Sequence, residues 1–362
     1  MRIVIAPDSF GGTLRATEAA AAIATGWART RPEDELIELP LSDGGEGLLD
    51  ALASGGGELR RTEVAGPLGH PRDASWLLQA DGTAVIESAE ACGLVHVPEE
   101  RRSPLRTTTY GVGQLIDAAR DAGARRILVG LGGSATVDGG AGALLGLGFR
   151  LSIEDGSGLK VGSEDLGRVI RAERGWSATF DEVEVVLLSD VTTTLVDAAP
   201  VFGPQKGATS DEVATLTSAL ESWAEVAERD LAGGRRWRDV PGSGAAGGLG
   251  FGLACALGAR FVPGARTVAD LVGLEPELEG VAAIVTGEGR LDATSGSGKV
   301  IDLVREVGAR RGIPILAVVG QVAAGAPALD GLEAAAPDGP GDDPRAEVEA
   351  AAARLAGTVS AG

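Results

Sequence analysis

Short apolar runs separated by helix-length amphipathic segments occur at both ends of the chain. The predicted strands are residues 3–6, 36–39, 281–285 and 315–319. The predicted helices between and after them are residues 17–29, 298–310 and 344–355. Because strands that alternate with helices favour parallel pairing, this pattern predicts a parallel α/β sheet that is assembled from both ends of the chain.

The middle of the chain has a looser pattern, which begins at the turn-rich segment Gly66-Pro67-Leu68-Gly69. Its predicted strands are residues 83–87, 127–131 and 183–188, and its predicted helices are residues 110–122 and 211–230. We therefore predict two domains: a discontinuous α/β domain, residues 1–65 plus 270–362, and an inserted α/β domain, residues 66–269. A cleft between two such domains is a common place for small-ligand sites.

Composition supports two domains with real cores, because the chain has 362 residues and 44% of them are hydrophobic. Aromatic residues make up only 3%, so the cores must consist mostly of aliphatic side chains and alanine. The formal net charge of −20 repels nucleic acid and anionic membranes, and we expect neither as a partner. An anionic substrate would need a local positive charge in this negative field.

Several site classes are disfavoured by the sequence. Cys92 and Cys255 have no metal-ligand spacing, and we interpret them as reduced core residues of a cytoplasmic protein. His70 and His96 lie beside no nucleophile motif, so no Ser-His-Asp site is predicted. The first residues contain too short an apolar run for a signal peptide, and no stretch predicts a membrane span.

Acidic segments directly follow three of the predicted strands. They are Asp8-Ser9, Asp43-Gly44-Gly45-Glu46-Gly47 and Thr286-Gly287-Glu288-Gly289-Arg290. Each one alone fits an ordinary turn, because Asp, Ser and Gly are typical turn residues. The carboxyl ends of parallel strands meet at one edge of a sheet, where ligands bind, so three such segments together favour a binding site.

Two further loops have features of anion binding. Gly132-Gly133-Ser134-Ala135-Thr136 follows a predicted strand, and its amides can surround an anion, although tight helix–sheet packing is an alternative reason for the glycines. Gly203-Pro204-Gln205-Lys206-Gly207 combines a permissive backbone with a lysine suited to phosphate. A solvated surface lysine is the alternative interpretation of Lys206, but its loop favours a function.

Two apparent nucleotide motifs do not fit. Ser295-Gly296-Ser297-Gly298-Lys299-Val300 lacks the first glycine of a phosphate loop and has Val300 where a magnesium-binding hydroxyl belongs. Gly242-Ser243-Gly244-Ala245-Ala246-Gly247 matches GxGxxG but follows no predicted strand, so packing of a buried helix over 244–259 is the better interpretation. A nicotinamide-dependent dehydrogenase is disfavoured for the same reason.

Taken together and in this order, the motifs resemble the bacterial glycerate kinase family. The matching segments are 5–10, 42–47, 132–136, 138–142, 202–208 and 286–292, with weaker similarity over 104–113 and 241–248. The resemblance covers nearly the whole chain. It implies ATP-dependent phosphorylation of glycerate with Mg²⁺, which gives 2-phosphoglycerate or 3-phosphoglycerate. It also implies a flavodoxin-like parallel-sheet domain with a second, inserted α/β domain.

Hypothetical roles follow from the resemblance together with what phosphoryl transfer requires. Asp8 and Asp43 would bind the acceptor or accept its proton, Asp190 and Glu288 would hold Mg²⁺, and Lys206 and Arg290 would neutralise phosphate. The predicted catalytic residues are thus Asp8, Asp43, Asp190 and Lys206. The other predicted contacts to substrate or nucleotide are Ser9, Gly44, Gly45, Glu46, Gly132, Gly133, Ser134, Thr136, Gln205, Thr286 and Gly287.

Some positions depart from the family pattern. Gly11 occupies a place where the family usually has lysine, and Asp190-Val191 leads into Thr192-Thr193-Thr194 rather than Asn-Pro-Leu. Two alternatives therefore stay open: a kinase for another short hydroxy acid, and a protein that binds such a ligand without catalysis. The sequence leaves the oligomeric state open, with a homodimer as one option.

Overall fold

The computed structural model describes residues 1–53, 55–175, 180–291, 299–326, 329–335 and 341–359. The strands are β1 (Arg2–Ile5), β2 (Glu35–Glu38), β3 (Glu58–Ala65), β4 (Pro71–Leu78), β5 (Thr83–Glu87), β6 (Arg126–Gly130), β7 (Arg150–Ile153), β8 (Val169–Glu173), β9 (Glu184–Leu188), β10 (Arg260–Val262), β11 (Ala283–Leu291), β12 (Ile315–Val322) and β13 (Gly331–Ala334). The helices are α1 (Ala16–Thr30), α2 (Leu48–Ala53), α3 (Ser88–Cys92), α4 (Tyr110–Asp121), α5 (Ala141–Gly146), α6 (Ala198–Phe202), α7 (Ser210–Asp230), α8 (Ala245–Leu257), α9 (Gly264–Leu271), α10 (Leu274–Glu277), α11 (Val300–Arg311) and α12 (Pro344–Thr358).

The chain divides into two compact units. The first unit is Met1–Gly55 with Pro263–Gly362, and the second is Gly56–Val262. The boundaries predicted from the sequence, 65/66 and 269/270, therefore need correction. β3 pairs antiparallel with β4 along its whole length, so it belongs to the second unit. At the other boundary α9 packs against the Asp43 backbone, which places it in the first unit.

The first unit contains a five-stranded parallel sheet with the order β2-β1-β11-β12-β13. Numbered within the unit, this order is 2-1-3-4-5, which is the flavodoxin-like arrangement that the sequence analysis expected. The alanine-rich helices α1 and α12 pack so closely that a Cβ atom at Gly26 would lie only 2.0 Å from the Glu349 carbonyl oxygen. Ile3, Ile23 and Trp27 are fully buried in the core beneath these helices.

The second unit contains a six-stranded mixed sheet with the order β10-β9-β6-β5-β4-β3. β5, β6, β9 and β10 run parallel, while β3 and β4 form an antiparallel edge. β7 and β8 form a separate antiparallel pair. The aliphatic strands β6 and β9 are buried almost throughout, which explains why their apolar runs were visible in the sequence.

Helix α8 begins with an unusual backbone turn. Ala246, Gly247 and Gly248 all have positive φ, at 51°, 69° and 85°, which interrupts the helix that the apolar sequence predicts. The turn fits against the loop after β6, because a Cβ atom at Gly247 would lie 1.9 Å from the Thr136 carbonyl oxygen. The glycines of the GxGxxG match therefore lie at close backbone contacts.

Candidate active site

In the first unit, a cavity of about 470 Å³ opens at the carboxyl end of the sheet, beside β1 and β11. The sheet order changes direction between these two strands, and ligands of open α/β sheets bind at such switch points. The predicted site residues that line the cavity are Asp8, Ser9, Asp43, Glu288 and Arg290. Three segments that are far apart in the sequence thus meet at one edge. Two of them follow strands as predicted, but the segment 286–290 lies within β11, because that strand continues to Leu291 instead of ending at residue 285.

Asp8 is held in this cavity by the backbone that continues from β1. The Asp8 amide donates to the Gly287 carbonyl at 2.9 Å, and the Ser9 amide donates to Asp8 Oδ1 at 2.6 Å. Burial raises the pKa of Asp8 well above its ordinary value, and the negative charges of Asp43 and Glu288 add to this effect. A carboxylate with a raised pKa is a stronger base, which suits it to accept a proton from a hydroxyl group.

The loop that carries Asp43 is a tight turn closed by its own side chains. The Gly44 amide donates to Ser42 Oγ at 3.1 Å, and the Gly45 amide donates to Asp43 Oδ1 at 2.8 Å. Gly264, at the start of α9, packs directly on this loop. Gly264 could not be predicted from the sequence, because its close approach to the Asp43 carbonyl is a tertiary contact.

Other predicted residues of the first unit lie beside the cavity rather than on its wall. Thr286 is fully buried, and its hydroxyl donates to the Ala6 carbonyl at 3.0 Å, which ties β11 to β1. Gly287 packs against Phe10 and the Val318 carbonyl. Glu46 is exposed on the Asp43 loop. The matching segment at 286–292 ends on Asp292, which lies outside the described residues.

In the second unit, Lys206 is buried and fully engaged with the loop after β6. Its ammonium group donates to Ser134 Oγ at 2.9 Å and to the Thr136 carbonyl at 2.7 Å, and it lies 5.7 Å from the centre of the Phe202 ring. A short 3₁₀ turn that ends at Gly207, with φ of 93°, directs the side chain inward. Burial lowers the pKa of Lys206 to about 8, and the neighbouring Cys92 and Asp138 oppose that decrease.

The glycine loop itself is fixed by neighbouring buried groups. The Gly132 carbonyl accepts from Ser88 Oγ at 3.3 Å, and the Gly133 carbonyl accepts from the Leu94 amide at 2.7 Å. Further along, Asp138 is completely buried and accepts hydrogen bonds from the backbone of Thr109 and of the following glycines. The loop is therefore held in one shape by contacts from several elements, of which Lys206 supplies two.

The remaining predicted residues of this unit are Asp190 and Gln205. Asp190 follows β9, whose last residue, Leu188, accepts the Leu131 amide at 3.1 Å, so Asp190 and the glycine loop leave the sheet at the same edge. Gln205 is exposed in the turn before Lys206. The structure therefore groups Lys206, Ser134 and Thr136 by direct contact, with Asp190 at the same sheet edge.

Lys299 also lines the cavity of the first unit, although the segment that contains it does not fit a phosphate loop. Its positive charge opposes the increase in the pKa of Asp8. The composition could have pointed to this residue, because lysine is rare in the chain: of its 32 Lys and Arg residues, three are lysines, Lys160, Lys206 and Lys299. Two of these three lysines lie at candidate sites.

The two cysteines lie in surroundings that agree with their interpretation as core residues. Cys92 and Cys255 are buried free thiols, and burial raises the pKa of Cys92 to about 12. Among the described residues, no three or more His, Cys, Asp or Glu side chains form a group that could hold a metal ion. The described helices include none with both the length and the apolar character needed to cross a membrane.

Comparisons with known proteins agree with the resemblance. Residues 3–359 match the model of the glycerate kinase family. A glycerate kinase of Haemophilus influenzae is 39% identical over 326 residues, which cover 88% of this chain and 86% of that protein. A glycerate 2-kinase of Escherichia coli K12 is 39% identical over 328 residues, which cover 89% and 86%.

A solved structure extends the similarity to the fold. The crystal structure of a candidate glycerate kinase 2 from Salmonella typhimurium LT2 has a TM-score of 0.84 and 37% sequence identity, and the match covers 99% of this chain and 98% of that one. With a family match over almost its full length and relatives near 39% identity, the chain belongs to the glycerate kinase family.

Proposed function

We propose that the chain transfers the γ-phosphate of ATP to a hydroxyl group of glycerate and releases phosphoglycerate. The observation that carries this proposal is the cavity of the first unit, in which Asp8, Asp43 and Glu288 converge at the switch point of a flavodoxin-like sheet. Family membership supports the reaction type, and the cavity supports a small polar acceptor.

On the acceptor side, Asp8 is the proposed proton acceptor. It lies on the cavity wall, its backbone is fixed by β11, and its neighbouring carboxylates favour uptake of a proton. Asp43 lines the same cavity and is proposed to orient the acceptor by accepting a hydrogen bond from its other hydroxyl. Ser9 is proposed to donate to the acceptor's oxygens.

On the nucleotide side, the amides of Gly132 and Gly133 are proposed to bind phosphate oxygens. Lys206 holds the loop that presents them, through Ser134 and Thr136. Because both of these hydrogen bonds are made inside the protein, we propose that Lys206 supports phosphate binding in two ways. It fixes the shape of the glycine loop, and the charge of its ammonium group attracts the phosphate. Arg290, on the cavity wall of the first unit, is the proposed cation for the transferring phosphate.

The carboxylates present fit a magnesium ion. Mg²⁺ usually takes one or two carboxylates and fills its other positions with water and phosphate oxygens, so a cluster of three protein ligands is not required. Glu288 lines the cavity beside two other carboxylates, whose mutual repulsion a cation would reduce. We propose Glu288 as a protein ligand of this ion in the first unit, and Asp190 stays a predicted ligand. When bound, the ion would neutralise phosphate charge.

A coupled ADP-release assay over three- to five-carbon hydroxy acids, with and without magnesium, tests this function. We expect magnesium-dependent ADP release with glycerate at a higher kcat/KM than with the other acids. Asp8→Asn should lower kcat by at least about 100-fold, as expected for loss of a general base. ADP release with a different acid only would reassign the acceptor, and calorimetric binding without any release would indicate a protein that binds but does not catalyse.

The cytoplasmic location and the homodimer stay predictions.

A further inference from the structure

The cavity of the first unit is strongly acidic for a site that must accept an anion. Its wall carries the carboxylates of Asp8, Asp43, Glu288 and Glu347. Among the described residues, the basic side chains on that wall are those of Arg290 and Lys299. In a chain with a net charge of −20, an anionic acceptor needs one of these cations to offset the repulsion.

The position of Lys299 matches what a short hydroxy acid requires. In a three-carbon acid the carboxylate is only one or two carbons away from the hydroxyl groups. A proton acceptor for the hydroxyl and a cation for the carboxylate must therefore face the same small space. Asp8 and Lys299 line one cavity, and the charge of Lys299 acts on the Asp8 carboxyl.

The choice of lysine is also informative. The chain has only three lysines and uses arginine at its other basic positions. Lysine presents a compact point charge with three donors, whereas arginine presents a wide planar fork. Arg290 and Lys299 thus present two different cations on the same wall, a planar fork and a compact ammonium group that a small carboxylate can approach.

We infer that Lys299 is a specificity-determining residue that binds the carboxylate of the acceptor. This inference rests on the proposed function and refines it, because it explains how the site distinguishes glycerate from a neutral polyol. Glycerol has the same three carbons and the same kind of hydroxyl groups but no carboxylate. Glycerol therefore offers no carboxylate for Lys299 to bind.

The test uses the full chain with Lys299→Met and a matched control, Lys160→Met, which removes an exposed lysine of the second unit. Steady-state ADP release is measured with glycerate and with glycerol. We expect Lys299→Met to raise the KM for glycerate by about 10- to 100-fold, as for loss of a charge-assisted hydrogen bond. The KM for ATP and the rate with glycerol should stay within twofold of the wild type, and Lys160→Met should change none of these values.

Two outcomes would overturn the inference: an unchanged KM for glycerate, or an increase in the KM for ATP instead. If Lys299→Met does not fold, by circular dichroism, Lys299→Gln takes its place. Calorimetric titration of glycerate into each variant gives a second readout that needs no turnover. If the wild type binds glycerate without releasing ADP, the proposed function fails, and a 10-fold weaker binding by the variant still supports the role of Lys299. Equal binding by both proteins contradicts that role.

Discussion

Gly264→Ala tests whether the Asp43 loop must lie as close to α9 as it does. A Cβ atom at Gly264 would lie 1.9 Å from the Asp43 carbonyl oxygen and 2.7 Å from the carbonyl carbon, whereas real Cβ atoms essentially never come within 3.0 Å. The loop and the helix must therefore separate by roughly 1 Å. A displacement of that size at a substrate-positioning group lowers rates by about 100-fold, so we expect kcat/KM for glycerate to fall by a similar factor.

The assay pairs the coupled ADP-release measurement with urea unfolding of the same protein. Overpacking costs about 1–3 kcal/mol, which leaves most domains folded, so the loss of activity should exceed any loss of folded protein. Gly357→Ala is the matched control, because its Cβ atom in α12 would lie 3.9 Å from the nearest atom, Thr30 Cγ2. It should keep full activity and gain at most about 1 kcal/mol of stability. A folded Gly264→Ala variant with kcat/KM within threefold of the wild type would refute the reasoning.

Three further predictions follow from buried groups. Lys206→Met should lower turnover by at least about 10-fold, because it removes two hydrogen bonds to the glycine loop. Turnover of the variant within a few-fold of the wild type would contradict this role. The activity of the wild type should also fall as pH rises through about 8, where Lys206 loses its proton. Asp34 is desolvated, yet hydrogen bonds from the N-terminal ammonium, Trp27 and Arg31 lower its pKa from 3.8 to about 2. It should therefore contribute about 2 kcal/mol of stability above about pH 4, which is lost as pH falls toward 2; urea unfolding of Asp34→Asn should show this difference at pH 7, and no difference there would contradict it. Ala246→Gly should raise the free energy of unfolding by about 1 kcal/mol, since φ of 51° strains an alanine, and a loss of stability would contradict it.

The parallel strands were the part of the fold that could be predicted best. β5 was predicted with its observed bounds, and β6 and β9 within one residue at each end, because buried strands appear as uninterrupted aliphatic runs. β3 and β4 were missed. β3 carries four charged residues and β4 two, and both are half exposed, so their alternation was weak, and the domain boundary at 65/66 was misplaced as a result.

The site could be predicted as far as it depends on strand ends. Asp8 and Asp43 each follow a strand of one sheet, and Glu288 lies in the carboxyl-terminal half of β11, so the topology brings the three together. The burial of Lys206 could not be predicted in this way. Its inward direction depends on the left-handed turn at Gly207 and on the hydrogen-bonding groups of a loop about seventy residues away in sequence.

The absence of lysine at position 11 has a different meaning once the cavity is known. Gly11 has φ of 35° and lines the cavity, and a Cβ atom there would meet no atom within 4 Å, so that part of the wall is open. Lys299 reaches the same cavity from the opposite end of the chain. Motif matching evaluates each segment separately, whereas the potential in a cavity is the sum of charges from every segment that lines it. A missing cation in one motif therefore does not indicate an inactive site when another segment supplies the charge.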